Sequence, residues 1–141
     1  MLKPWKLIQS KDLLKNNWIH LKEERLITES GGVIEPFYRF ITKNWGLVIP
    51  QTRSGEFILV RQYRRGVDDF CLEFPAGAFH EEEEFDVGMR RELSEETGYT
   101  SSEEMTLLGK FSVNPANQAG QVGIYSLTDV RLTDQPEMNP T

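Results

Sequence analysis

The chain has 141 residues, 38% hydrophobic and 27% charged, which fits one compact globular domain with at most a small appended unit. No apolar run approaches the roughly 20 residues that span a bilayer, the N-terminal MLKPWKLIQSKDLL lacks the apolar core of a secretory signal, and the single Cys71 excludes an internal disulfide; together these point to a cytoplasmic protein with no membrane partner. Acidic residues outnumber basic ones 22 to 16, yet residues 81–98 alone hold eight acidic against two basic, so the excess of six sits in one short segment and the rest balances at 14 against 14. Without a basic cluster, nucleic acid is not an expected partner.

The first elements read as strands. Ile19, Leu21, Leu26 and Thr28 alternate roughly, a Gly31-Gly32 turn follows, and Val33 to Ile41 is aromatic and β-branched. This predicts an N-terminal antiparallel β-hairpin. Trp45 to Gln51 and Glu56 to Tyr63 predict a second hairpin around Ser54-Gly55, with the continuous run Ile58-Leu59-Val60 expected of a strand covered on both faces. Phe70 to Phe74 predicts a short buried strand ended by Pro75, with Cys71 as a small buried hydrophobe. Glu84 to Thr97 is the one strong helix, stopped by Gly98. Gly88 costs that helix about 1 kcal/mol against alanine and is expected to permit close packing. Thr106 to Val113 and Val122 to Thr128 predict further strands, and the polar, proline-containing tail from Arg131 to Thr141 predicts a loop or a disordered segment.

Within the helix, Glu92, Glu95 and Glu96 fall at i, i+3 and i+4 and share one face. Three neighbouring carboxylates repel one another, and a divalent cation relieves that repulsion. Hard oxygen ligands of this kind suit Mg²⁺ or Mn²⁺. The bland alternative for a charge run is a solvated face, which is the expectation for Glu81, Glu82 and Glu84. The two histidines, His20 and His80, belong to no triad-like arrangement, and no serine or cysteine nucleophile motif is present.

The segment GAFHEEEEFDVGMRRELSEETGY, from Gly77 to Tyr99, resembles the Nudix box G-x5-E-x7-R-E-U-x-E-E-x-G-U, where U is a bulky aliphatic. Seven fixed polar or glycine positions match, and Tyr99 replaces the final aliphatic. Over roughly residues 44 to 130 the order of elements also resembles the Nudix fold, an α/β (α+β) class in which a mixed β-sheet is sandwiched by helices. The implied division is an N-terminal β-strand and dimerisation segment at 1–43 and a Nudix hydrolase domain at 44–141. Nothing helical is expected after Thr128, so the fold's C-terminal helix is expected to be missing, as in a truncated or naturally short form. The resemblance implies hydrolysis of a nucleoside diphosphate linked to another moiety. It implies Glu92, Glu96 and Glu95 as metal-binding and catalytic carboxylates, and a backbone carbonyl of Ala76 or Gly77 as a further ligand. Glycine suits a turn whose backbone must approach a metal. Glu83, Arg91 and Gly98 are implied to be structural, with the arginine orienting the helix through a glutamate.

Val60-Arg61-Gln62-Tyr63-Arg64, followed by Leu72-Glu73-Phe74-Pro75-Ala76-Gly77, is similar to the VRQYR…ELPAG pattern of ADP-ribose pyrophosphatases. Pro115, sixteen residues after Tyr99, is a further marker of that subfamily. The resemblance implies that Arg64 contacts a substrate phosphate, that Glu73 lies at the adenosine end and that Pro115 marks the substrate loop. The alternative for Arg64 is a surface arginine at a strand end. Glu73, in an otherwise apolar run, needs a partner. Asn114, Asn117 and Gln118 receive no role. The subfamily's general base is a glutamate beyond the strand equivalent to Val122–Thr128; the available residue is Glu137, in a context that matches poorly. The expectation is thus Mg²⁺-dependent cleavage of ADP-ribose to AMP and ribose 5-phosphate. The alternatives are another nucleoside diphosphate sugar or a catalytically weak nucleotide-binding module. Trp5, Trp18, Leu21, Leu26, Phe37, Tyr38 and Phe40 lie in a segment too short to hold a core alone, so their apolar surface needs a cover; the resemblance implies that a second subunit supplies it, and a homodimer is expected.

Overall fold

The computed structural model describes residues 2–79 and 83–135. In chain order its elements are β1 (Lys6–Lys15), β2 (His20–Ile27), β3 (Val33–Ile41), β4 (Trp45–Pro50), β5 (Val60–Arg64), β6 (Asp69–Glu73), β7 (Ala76–Ala78), α1 (Phe85–Thr97), β8 (Tyr99–Thr100), β9 (Thr106–Ser112), β10 (Gln118–Ala119), β11 (Gln121–Leu127) and β12 (Arg131–Leu132). They fall into two compact units, Met1–Lys43 with Ser112–Gly120 and Asn44–Phe111 with Gln121–Thr141.

The first unit is a four-stranded sheet in the order β1-β2-β3-β10, antiparallel across β1, β2 and β3 and parallel between β3 and β10. The expected hairpin is β2–β3. Its turn is closed by Thr28 N–H donating to Gly32 O at 2.8 Å, with Gly31 at φ +85°. Strand β1 has no counterpart in the sequence reading. Its apolar residues come as adjacent pairs, Leu7-Ile8 and Leu13-Leu14. The structure explains this by register shifts between Leu7 and Gln9 and between Asp12 and Leu14, which break the period-two pattern that marks a strand. Asn16 turns the chain back, its Oδ1 accepting from the N–H groups of Trp18 and Ile19 at 2.8 Å each.

The second unit is built on the sheet β7-β4-β11-β9. Strands β4 and β11 run parallel over six residue pairs, from Val122↔Trp45 to Leu127↔Pro50, and β7 pairs antiparallel to β4. Val48, Tyr125, Leu127 and Val130 form the core with Met89 and Leu93 of α1. Helix α1 starts after an extended Glu84, carries Asp86 in its first turn, and ends at Gly98 with φ +73°. An acidic first turn complements the helix dipole, and the left-handed cap is the conformation glycine adopts without strain. A Cβ at Gly88 would lie 2.9 Å from the Phe79 ring, so glycine does permit close approach there.

Three expectations are corrected. The strand predicted from Glu56 to Tyr63 divides: Phe57 bridges to Gln51, and the chain then leaves the sheet so that β5 pairs with β6. Neither the Ile58–Val60 run nor the Phe70–Phe74 segment is covered on both faces. Phe70 and Leu72 are 58% and 69% exposed, because β5 and β6 form a separate two-stranded hairpin with no third strand among the described residues. The tail is ordered at its start, where Arg131 and Leu132 pair antiparallel with β8 and the N–H groups of Thr133 and Asp134 donate to Gly98 O. Two paired residues are too few to leave a periodic signal. Among the described residues α1 is the sole helix, and none is long and apolar enough to cross a membrane.

Candidate functional site

The acidic helix face meets the backbone of β7. This short strand is fixed by its ladder to β4, in which Leu47 pairs with Ala76 and Gly46 with Gly77, and by Val48 N–H donating to Pro75 O at 3.0 Å. Glu96 is half-buried. Its Oε2 accepts from the Ala76 N–H at 3.2 Å and its Oε1 from the Gln62 side-chain amide at 3.1 Å. Burial pushes its carboxyl above the usual range and the nearby Glu92 charge adds to that, while the two hydrogen bonds act in the opposite direction. Desolvation disfavours the ionised form, and donors to that form favour it.

Glu92 lies against Gly77. A Cβ built on that glycine would fall 2.1 Å from the Glu92 carboxyl carbon, so no side chain fits while Glu92 stays where it is. The close approach of carboxylate to backbone is therefore a property of the glycine.

Arg91 organises the rest of the face. It donates to Glu83 through Nε at 3.0 Å and Nη2 at 3.2 Å, a two-point contact, and its Nη1 reaches Glu92 at 2.9 Å and Glu95 at 3.1 Å. The Glu83 bond, then Glu92, holds the guanidinium more firmly protonated than an ordinary arginine. Arg91 thus neutralises two of the three helix carboxylates as they stand. Among the described residues, no three histidine, cysteine or acidic side chains are drawn together closely enough to cage a cation unaided. The donor chemistry nevertheless fits a hard cation: Glu92 and Glu96 both converge on the Ala76–Gly77 backbone, the point where a Cβ would obstruct.

The β5–β6 hairpin supplies Arg64, Glu73 and Gln62. Arg64 donates to Glu73 through Nε at 2.9 Å and Nη2 at 2.7 Å, so the charge in the apolar run has its partner nine residues away across the hairpin. The arginine bond holds the Glu73 carboxyl below the usual range, and Glu73 raises Arg64 in turn, with a smaller contribution from Glu96. The contact to Glu96 makes Gln62 a site residue that the sequence reading passed over. Its signal was its place two residues before Arg64, on the same face of a strand. Cys71 is a free, half-buried thiol paired in register with Gln62.

Pro115 belongs to the first unit, in a turn where Asn114 Nδ2 donates to Asn117 Oδ1 at 3.0 Å and the Gln118 N–H donates to Asn114 O at 2.9 Å. His20 lies in that unit as well, its Nε2 2.8 Å from Asp12 Oδ1. Glu137, the expected base, lies outside the described residues, as do His80, Glu81 and Glu82.

A family model of the NUDIX domain matches residues 42–140. The chain belongs to the NUDIX family. Its box runs from Gly77 to Tyr99, joining β7 to α1 and β8. The chain is 37% identical to the ADP-ribose pyrophosphatase of Bacillus subtilis (strain 168) over 99 residues, which cover 69% of this chain and 53% of that one. It is 28% identical to the ADP-sugar pyrophosphatase of Mus musculus over 113 residues, 66% of this chain and 48% of that one. The chain thus spans about half the length of these relatives. A solved structure described as an ADP compounds hydrolase superposes on all of the chain and 76% of its own, with a TM-score of 0.87 at 20% identity; at that identity the match establishes the NUDIX fold.

Proposed function

We propose that this NUDIX domain hydrolyses the pyrophosphate bond of a nucleoside diphosphate sugar, with ADP-ribose the preferred substrate and AMP and ribose 5-phosphate the products. The observation that carries the reading is the convergence of Glu92 and Glu96 on the Ala76–Gly77 backbone, at a glycine where a Cβ would displace the Glu92 carboxylate. Glu92 and Glu96 would hold a Mg²⁺ or Mn²⁺ ion, with Glu95 beside them and a carbonyl of Ala76 or Gly77 as a further ligand. Bound there, a divalent cation neutralises pyrophosphate oxygens and eases deprotonation of the attacking water. Water adds to one phosphorus, the bridging P–O bond breaks, and the two fragments leave as phosphate monoesters.

The chain's own groups do the rest. Arg91, pinned by Glu83, sets the rotation of the carboxylate face. Arg64 is the candidate phosphate contact, since a guanidinium offers charge and a planar pair of donors. Glu137 remains the candidate base. The names of the two relatives support the substrate class, and the mouse protein's broader name supports testing other ADP-sugars beside ADP-ribose. For the first unit we propose a homodimer contact, because Trp18 is 93% exposed and Trp5, Tyr38 and Phe40 are also on the surface. Light scattering at micromolar concentration that gives the 16.3 kDa monomer mass would reject that contact.

The test of the reaction is phosphate-monoester release from a panel of nucleoside diphosphate compounds with Mg²⁺, using wild type and Glu96→Gln. Turnover should be highest on ADP-ribose. It should fall by about 10² or more in the variant, because losing a hard ligand removes several kcal/mol of charge stabilisation. Equal turnover of the two proteins would remove Glu96 from the mechanism.

A further inference from the structure

We propose that Gln62 is a positioning residue for Glu96: its amide fixes one carboxylate oxygen and ties the β5–β6 hairpin to helix α1. The proposal rests on the reading above that Glu96 holds a divalent cation. Glu96 Oε1 takes the Gln62 amide at 3.1 Å and Oε2 the Ala76 N–H at 3.2 Å. The two donors come from different strands and meet different oxygens, so together they set the plane of the carboxylate. Each carboxylate oxygen has two lone-pair directions; one donor per oxygen leaves a direction on each for a cation.

The hairpin gives Gln62 a second consequence. Among the described residues, the Gln62–Glu96 bond is the one hydrogen bond between β5–β6 and α1. Gln62 and Arg64 alternate onto one face of β5, and the Glu96 charge is felt at Arg64. One strand thus presents both the group that orients the proposed metal carboxylate and the group proposed for the phosphate. A glutamine that merely satisfied a half-buried acid would leave cation affinity alone. A positioning glutamine would not.

The deciding measurement is Mn²⁺ binding to substrate-free protein, read as free Mn²⁺ by electron paramagnetic resonance, for wild type, Glu96→Gln, Gln62→Met and Gln62→Asn. Methionine keeps the length and volume of glutamine without the donor; asparagine keeps the donor but withdraws it by one methylene. Glu96→Gln should lose most of the binding. Each Gln62 variant should bind Mn²⁺ about tenfold more weakly, in line with the cost of removing groups that orient metal ligands. Their kcat on ADP-ribose should fall alongside, while KM changes less than kcat. A Gln62→Met affinity within twofold of wild type overturns the proposal and leaves the Glu96 reading intact. Wild-type binding indifferent to Glu96→Gln overturns both. If Gln62→Met does not fold, Gln62→Asn decides by the same twofold criterion.

Discussion

Helix α1 and the β5–β6 hairpin both bring polar groups to the candidate site, and they are held in opposite ways. The helix is anchored from beneath: Met89 and Leu93 are fully buried against Val48, Tyr125 and Leu127, and Arg91 braces its acidic face against Glu83. The hairpin is a two-stranded ribbon whose outer side chains, Phe70 and Leu72 among them, face solvent. A two-stranded ribbon has little stability of its own. Its ordering draws on cross-strand contacts, chiefly Arg64 with Glu73, the T-shaped Tyr63–Phe70 pair, and Arg61 over the Phe70 ring. The carboxylate half of the site is thus set by burial, and the arginine half by polar and aromatic contacts at the surface.

The strongest way to break this contrast is at its buried side. Leu93→Ala should cost about 2–5 kcal/mol of unfolding free energy, the range for a fully buried leucine, measured by urea titration. A loss under 1 kcal/mol would mean that the helix is not anchored as described. On the exposed side, Arg64→Ala should leave stability within about 1 kcal/mol and raise KM for ADP-ribose by an amount corresponding to roughly 1.5–3 kcal/mol, the worth of a charge-assisted contact. Unchanged steady-state kinetics would return Arg64 to a hairpin brace for Glu73.

Gly77→Ala sharpens the contrast where the two halves meet. The new methyl would strike the carboxylate end of the Glu92 side chain rather than backbone. Stability should therefore drop by less than about 1 kcal/mol, while Mn²⁺ affinity falls by about tenfold through the displaced carboxylate. A variant with wild-type affinity would show that Glu92 can bind from elsewhere.

The smallest effect concerns acidity. Arg64 holds the Glu73 carboxyl below its ordinary value, so the pair contributes stability above the usual glutamate pKa of about 4.3 and loses it as pH falls through the depressed value. Half-exposure of Arg64 limits this contribution to under about 1 kcal/mol. The stability gap between wild type and Glu73→Gln should therefore be small at pH 7 and close towards pH 3. A gap independent of pH would mean that the pair acts by packing rather than charge.

The helix face was legible because its information is local: Glu92, Glu95 and Glu96 sit within two turns, and Gly98 marks the stop. β4 and β11 were legible because each is a short run rich in apolar residues, Trp45 to Ile49 and Val122 to Leu127, set between polar or turn-forming segments. β5 and β6 were recognisable as strands, but nothing in Val60–Arg64 says whether it pairs back to β4 or forward to β6. The chain pairs it forward to β6, and Leu72, which reads as core in sequence, stands in solvent as a result. Glu73 could be seen to need a partner, whereas the identity of Arg64 as that partner depends on which strands pair. Gln62 escaped for a related reason: an amide in a strand looks like solvated surface until a carboxylate from another element lies beside it.

The parallel pairing of β4 with β11 also dictates when the site comes into being. Trp45 meets Val122, 77 positions further along the chain, and β7, α1 and every carboxylate of the box lie between them. Pairing so distant in sequence is slow to nucleate. As the chain is synthesised, the box helix emerges well before the strand that completes the core beneath it. Until β11 docks, Met89 and Leu93 lack the Tyr125 and Leu127 that bury them, and the acidic face has no fixed bearing. The emerging domain thus passes through an interval in which its apolar helix stripe is open to chaperones and to other nascent chains.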